Sequence, residues 1–170
     1  AVKVSSGGGS IVNTSPNAPS TINPVAAGYP TMNPTSATAD WTVLVYMGGD
    51  NNLEDGLEND LDEFEIAGGS SQSVRIVALF DRADGYSNAN GDWTDTRVFE
   101  IAADTSNDAR SEYPPTIDST DLFGLGELDT SYGNNLADFL VWGVQNYPAR
   151  RYAVAINDHG GAWEGMVTDD

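Results

Sequence analysis

One side chain in this 170-residue sequence is of a type that ordinarily titrates near neutral pH: His159, the chain's single histidine. It lies in the stretch Arg151–Glu164, RYAVAINDHGGAWE. An imidazole there could serve as general acid or base. Gly160 and Gly161 follow, and glycine lets backbone N–H groups come close to a substrate carbonyl, as an oxyanion hole requires. Residue type alone leaves His159 open as a catalytic base or an ordinary loop residue. Its usual nucleophilic partners are missing. The chain has no cysteine, and no serine or threonine stands at a recognisable nucleophile elbow.

Carboxylates are the other candidates. Asp50, Asp81 and Asp158 each follow an apolar run, in GGDNN (48–52), FDRAD (80–84) and NDHGG (157–161). If those runs are parallel strands, the three acids and His159 share the carboxyl edge of one sheet, where ligands bind. Trp163, close after the histidine, either walls a pocket or caps the sheet edge. Two acidic stretches bear on calcium. DNNLEDGLENDLD fails the EF-hand register, since Asp55 stands where the glycine belongs and Leu61 where the bidentate acid belongs. The loop Asp81–Asp95, with Asp84, Asn88, Asn90 and Asp92, could wrap an ion irregularly, but reads more simply as a hairpin with Asn-Gly turn chemistry.

These residues need a scaffold. WTVLVYM from Trp41 is a continuous apolar run of strand length, buried on both faces. Leu53, Leu57, Leu61 and Phe64 then recur at helical spacing over about 52–67, and Gly68-Gly69 ends that helix. SVRIVALFD is a second buried strand. Residues 82–103 read as a small hairpin excursion, with TRVFEIA alternating like a half-exposed strand. Residues 104–128 read as a surface loop. NNLADFLVWGVQNY (134–147) is a helix stopped by Pro148, and Arg151–Ile156 a third buried strand. The pattern predicts an α/β layer with a mostly parallel sheet. Three strands make a small sheet, so further strands are expected from a second chain or from sequence outside this one. Trp41 and Trp142 are expected in the core.

Composition sets outer limits. Residues 1–39 are rich in Ser, Gly, Thr, Asn and Pro, almost uncharged and without periodicity; they read as a linker or an arm on the surface of a domain spanning 40–170. The whole chain carries 26 acids against 7 Lys plus Arg, a formal −19. That field argues against nucleic-acid and anionic-membrane binding and favours cationic partners, including basic peptides and calcium. The bland alternative is a solvated acidic surface. No apolar run of about 18 residues is present, so no membrane span is expected, and any export signal is expected to have been removed already.

WTVLVYMGGDNNLE and NNLADFLVWGVQNYPARRYAVAINDHGGAWEG together resemble the clostripain family of cysteine endopeptidases. The resemblance covers roughly residues 41–166, in order and spacing. It implies a caspase-like three-layer sandwich, a mostly parallel sheet flanked by helices and completed by a heavy chain. It implies a His–Cys dyad in which His159 is the histidine and the Gly160 N–H helps hold the oxyanion. Asp50 and Trp163 are the candidate substrate-binding residues at this edge. The family cleaves after Arg or Lys, and its members are commonly exported zymogens cut into light and heavy chains. No cofactor is required for that chemistry, though some members respond to calcium. Asp158 replaces the family's usual Asn, and Ala162 a common Gly. The missing cysteine makes this chain the expected light-chain portion, with the thiol on a heavy chain of the same precursor. The competing reading is an inactive module that binds peptides or partners through its acidic face.

Overall fold

Strand β3 (Ala39–Gly49) is the axis of the fold. The computed structural model describes residues 5–6, 9–10, 28–32, 37–105, 114–160 and 165–169. Two short strands, β1 (Ser5–Ser6) and β2 (Gly9–Ser10), pair with each other. After β3 come α1 (Glu54–Ile66), β4 (Val74–Arg82), β5 (Thr96–Glu100), β6 (Asp121–Gly126), α2 (Gly133–Asn146) and β7 (Ala149–Asn157). The main sheet runs β6-β5-β4-β3-β7. β3 pairs parallel with β4 and β7, while β5 and β6 continue the sheet antiparallel.

Alternation along the strands sorts side chains between two faces. Leu44, Tyr46, Val77, Leu79 and Val98 join Phe139 and Trp142 of α2 in one core. Val45, Met47, Ala78, Phe80 and Phe99 join Leu57 and Leu61 of α1 in the other. One helix covers each face, which makes three layers. Burying each large apolar side chain contributes about 1.5–3 kcal/mol. α2 comes close because it carries Gly143: a Cβ there would lie 2.6 Å from Leu44 Cδ2.

Several expectations are corrected. The sheet has five strands, two more than foreseen, and both extra strands come from this chain. TRVFEIA is not half exposed: Thr96, Val98, Phe99 and Ile101 are all buried. The surface loop 104–128 contains β6, whose Leu122, Phe123 and Leu125 pack on the α2-side core. β7 is not buried on both faces. It is the sheet's edge strand, with Val154 50% exposed. Trp41 stands 39% exposed under the Arg151 guanidinium, whereas Trp142 is core as expected. Part of the N-terminal segment is docked: Tyr29 is buried against Phe123 and Trp142, and the Trp142 indole N–H donates to the Pro30 carbonyl at 3.0 Å.

The acidic residues of α1 are not merely a solvated face. Glu54, Glu58, Asp62 and Glu65 are buried. Glu54 and Glu58 form ion pairs with the fully buried Arg82 at 2.8 and 3.1 Å. The guanidinium of Arg82 also donates to the Ser87 and Ala89 carbonyls and lies 4.1 Å from the centre of the Trp93 ring. The loop 83–93 therefore wraps the Arg82 guanidinium. Asn90 and Asp92 turn it with positive φ, as the Asn-Gly hairpin chemistry predicts.

Candidate active site

The carboxyl ends of β3, β4 and β7 lie side by side, because the three strands are parallel and adjacent. β3 ends in Gly48-Gly49, and both glycines are required by close neighbours. A Cβ on Gly49 would lie 2.5 Å from the Asp81 carbonyl, and one on Gly48 would lie 2.5 Å from Val167 Cγ1. With no side chains there, the segment after β7 crosses directly over the end of β3.

His159 follows β7 and is exposed. Its Nε2 lies 3.0 Å from Oδ1 of Asn52, in the loop after β3. When that oxygen accepts, Nε2 carries the hydrogen and Nδ1 keeps its lone pair as the basic nitrogen. Gly160 adopts φ +69°, a conformation an L side chain enters only at a cost, and this directs the chain beyond the histidine.

Asp158 does not orient the imidazole. Its carboxylate accepts from the backbone N–H of His159 and of Thr168, and from Asn51 Nδ2 at 3.3 Å. Asn51 is buried and ties three segments together. Its amide nitrogen also reaches the Gly48 carbonyl at 3.2 Å and the Thr168 carbonyl at 3.4 Å, and its Oδ1 accepts from Leu53 N–H at 2.9 Å. The histidine loop is thus clamped to the end of β3 through Asp158 and Asn51.

Asp50 belongs to a second group. Its carboxylate gathers with those of Glu127 and Asp169, with oxygen atoms within 4.8 Å of one another. Asp169 is held by the Thr130 backbone N–H at 2.6 Å and hydroxyl at 3.0 Å. Asp81 lies below at the end of β4, fully buried. Burial, and then the charges of Glu127, Asp169 and Asp50, push its carboxyl up to about 8, against the lowering effect of the Thr96 hydroxyl bonded to it. Residues 168–169 link the two groups: Thr168 bonds Asp158, and Asp169 joins Asp50.

The structure therefore brings His159, Gly160 and Asp158 to one edge with Asp50 and Asp81, as the strand pattern predicts. Trp163 lies outside the described residues. Asn51, Asn52, Thr168, Glu127 and Asp169 were not foreseen as site residues. For the two asparagines the signal was their position after β3, one strand away from the histidine strand. Glu127 and Asp169 carried no such signal.

The sequence model of the clostripain family matches residues 45–168. Clostripain of Hathewaya histolytica is 31% identical over 126 residues, an alignment covering 71% of this chain. The chain spans only 23% of that relative's length. A clostripain from Bacteroides thetaiotaomicron, solved in complex with the peptide inhibitor BTN-VLTK-AOMK, superposes with a TM-score of 0.52 at 16% identity. That match covers 74% of this chain and 95% of the other. A secreted C11 cysteine protease from the same species, solved with an irreversible peptide inhibitor, gives a TM-score of 0.54 at 16% identity. There the match covers 74% of this chain but 31% of the other. At such identities the two structures establish the fold, which is caspase-like.

Proposed function

The chain belongs to the clostripain family of cysteine peptidases, and from that premise we propose that it is the histidine-bearing light chain of an endopeptidase whose thiol resides on a heavy chain. The observation that carries this reading is the exposed His159 imidazole at the carboxyl end of β7, held at 3.0 Å by Asn52. The chain has no cysteine, so the nucleophile has to come from outside it.

In the proposed reaction, a thiolate on the heavy chain attacks the peptide carbonyl carbon and forms a C–S bond. The Gly160 N–H donates to the oxyanion, and His159 gives a proton to the leaving amine as the C–N bond breaks. Water then attacks the thioester with His159 accepting its proton, and the thiolate leaves. Asn52 fixes the imidazole tautomer, leaving Nδ1 to exchange the proton.

Cleavage after Arg or Lys is proposed on two supports. The carboxyl edge of the sheet is acidic, with Asp50, Glu127 and Asp169 together. The inhibitor of the Bacteroides clostripain ends its peptide in lysine. Asp50 and Trp163 remain the proposed substrate-side residues of this chain. Export and activation by chain cleavage are proposed from the family, and the secreted Bacteroides relative supports the first. Within the described residues no helix is long and apolar enough to cross a membrane.

The test is hydrolysis of fluorogenic peptides ending in Arg, Lys or Leu by the two-chain complex. Cleavage of the basic peptides, reduced at least ~100-fold by His159→Ala, is expected. Equal activity of the variant, or no hydrolysis of any peptide, overturns the reading in favour of a binding module.

A further inference from the structure

We propose that Asn51 is a positioning residue for the Gly160 N–H, the oxyanion donor of the proposed reaction, and that it acts through Asp158. The inference rests on the peptidase reading above. Three successive residues at the end of β7 each meet a different residue of the loop and helix that follow β3. Asn157 Nδ2 donates to Asp60 Oδ2 at 3.1 Å. Asp158 Oδ1 accepts from Asn51 Nδ2 at 3.3 Å. His159 Nε2 meets Asn52 Oδ1 at 3.0 Å. Asn52 holds the ring, whereas Asp60 and Asn51 hold the backbone that carries it.

Asp158 sets the backbone next to the oxyanion donor. Its carboxylate accepts from the N–H of His159, the residue just before Gly160, and from the N–H of Thr168. Gly160 is exposed and turns with φ +69°. Among the described residues nothing accepts from its N–H. The His159 N–H is therefore engaged and the Gly160 N–H is open, as an oxyanion site requires. A bare carboxylate two residues from that donor would oppose a developing oxyanion. Donors from Asn51, His159 and Thr168 occupy the oxygens of Asp158 and offset its charge.

The chemistry at position 51 asks for an amide. Asn51 is 2% exposed. Its Oδ1 accepts from the Leu53 N–H at 2.9 Å, and its Nδ2 also reaches the Gly48 carbonyl at 3.2 Å. A carboxylate there would keep the contact to Leu53. It would face the Gly48 carbonyl and Asp158 with no proton to give. Asn51→Asp thus sets two like charges against each other at the base of the histidine loop, with almost no change in side-chain size.

The two-chain complex is assayed on an Arg-containing fluorogenic peptide. It is also titrated with a peptide aldehyde ending in argininal and with the matching alcohol. The thiol adds across the aldehyde C=O, forming a C–S bond and leaving the oxygen where the oxyanion stands; the alcohol forms no such bond. Asn51→Asp is expected to lower kcat about 10- to 100-fold with little change in KM. Aldehyde affinity is expected to fall by a similar factor while alcohol affinity holds. Asp158→Ala, at a half-buried loop position, is expected to show the same pattern. Asn51→Asp with Asp158→Asn exchanges donor and acceptor, and is expected to recover kcat by at least about threefold over Asn51→Asp. Equal weakening of aldehyde and alcohol, a rise in KM at unchanged kcat, or no recovery in the double variant overturns the role. No hydrolysis of any peptide by the wild-type complex is a different failure, which removes the peptidase reading and this role together. Exchange of the His159 amide proton, followed by NMR, needs no activity. It is expected to be at least about tenfold faster in Asn51→Asp, and an unchanged rate overturns the route through Asp158.

Discussion

Asn52 Oδ1 lies 3.0 Å from His159 Nε2, across 107 residues of sequence. The contact follows from sheet order: β3 and β7 are parallel neighbours, so the first residues past each strand meet at one edge. The amide oxygen acts on the reaction only through the ring it positions. Asn52→Ala is expected to lower kcat about tenfold with little change in KM, the equivalent of one hydrogen bond of about 1.4 kcal/mol. Asn52→Asp keeps an acceptor at the same place and is expected to restore most of the rate. Loss of stability without this kcat-against-KM split would reduce Asn52 to a structural residue.

Arg82 sits at the centre of a buried charge group. Its side chain and those of Glu54 and Glu58 are fully buried. Glu54 also accepts from the Ala83 N–H at 2.9 Å and the Ser87 N–H at 3.2 Å, which fastens the loop after β4 to α1. Arg82→Met would leave two carboxylates buried without their cation. Breaking such a group costs about 3–5 kcal/mol, read as a fall in the urea midpoint. Adding Glu54→Gln and Glu58→Gln to Arg82→Met is expected to recover part of the loss, because the stranded charges are gone.

Much of the scaffold could be read from pattern. The apolar runs of β3 and β4 and the spacing of Leu57, Leu61, Phe139 and Trp142 follow periodicities that burial imposes. β6 was hidden because DLFGLG is short, carries two glycines and sits in an Asp-, Ser- and Pro-rich stretch; its pairing with β5 is irregular in register at two places. The buried acids of α1 were illegible for another reason. A glutamate that faces a buried arginine has the same letter as one that faces water, and only the fold sets Arg82 opposite Glu54 and Glu58. Asn52 is illegible in the same way, as a loop residue whose partner is distant in sequence. Trp41 misled in the opposite direction: it begins an apolar run, yet lies at the strand's exposed start.

Two helical glycines should respond oppositely to alanine. At Gly143 a Cβ would meet Leu44 Cδ2 at 2.6 Å and Cδ1 at 3.0 Å, while at Gly56 nothing lies within 4 Å. Gly143→Ala is expected to destabilise by about 1–3 kcal/mol, since overpacking at the contact outweighs the helix propensity gained. Gly56→Ala is expected to stabilise by about 0.5–1 kcal/mol. Thermal melts of the two variants check the pair, and stabilisation by Gly143→Ala would show that α2 can shift away from the sheet.

The outer edge of β7 bears on the proposed heavy chain. Tyr152, Val154 and Ile156 pair with Thr42, Leu44 and Tyr46 and so project to the α2 face. Ile156 packs into the core there, but Val154 is 50% and Tyr152 37% exposed. An edge strand with apolar side chains uncovered invites another strand. A heavy-chain strand along β7, carrying its own helix, would cover both residues and bring a thiol beside His159. Val154→Lys is therefore expected to weaken chain association at least tenfold, with the far-UV circular dichroism of this chain unchanged. Size-exclusion chromatography with mass measurement reads the result. Undiminished association of the variant would place the heavy chain on another surface.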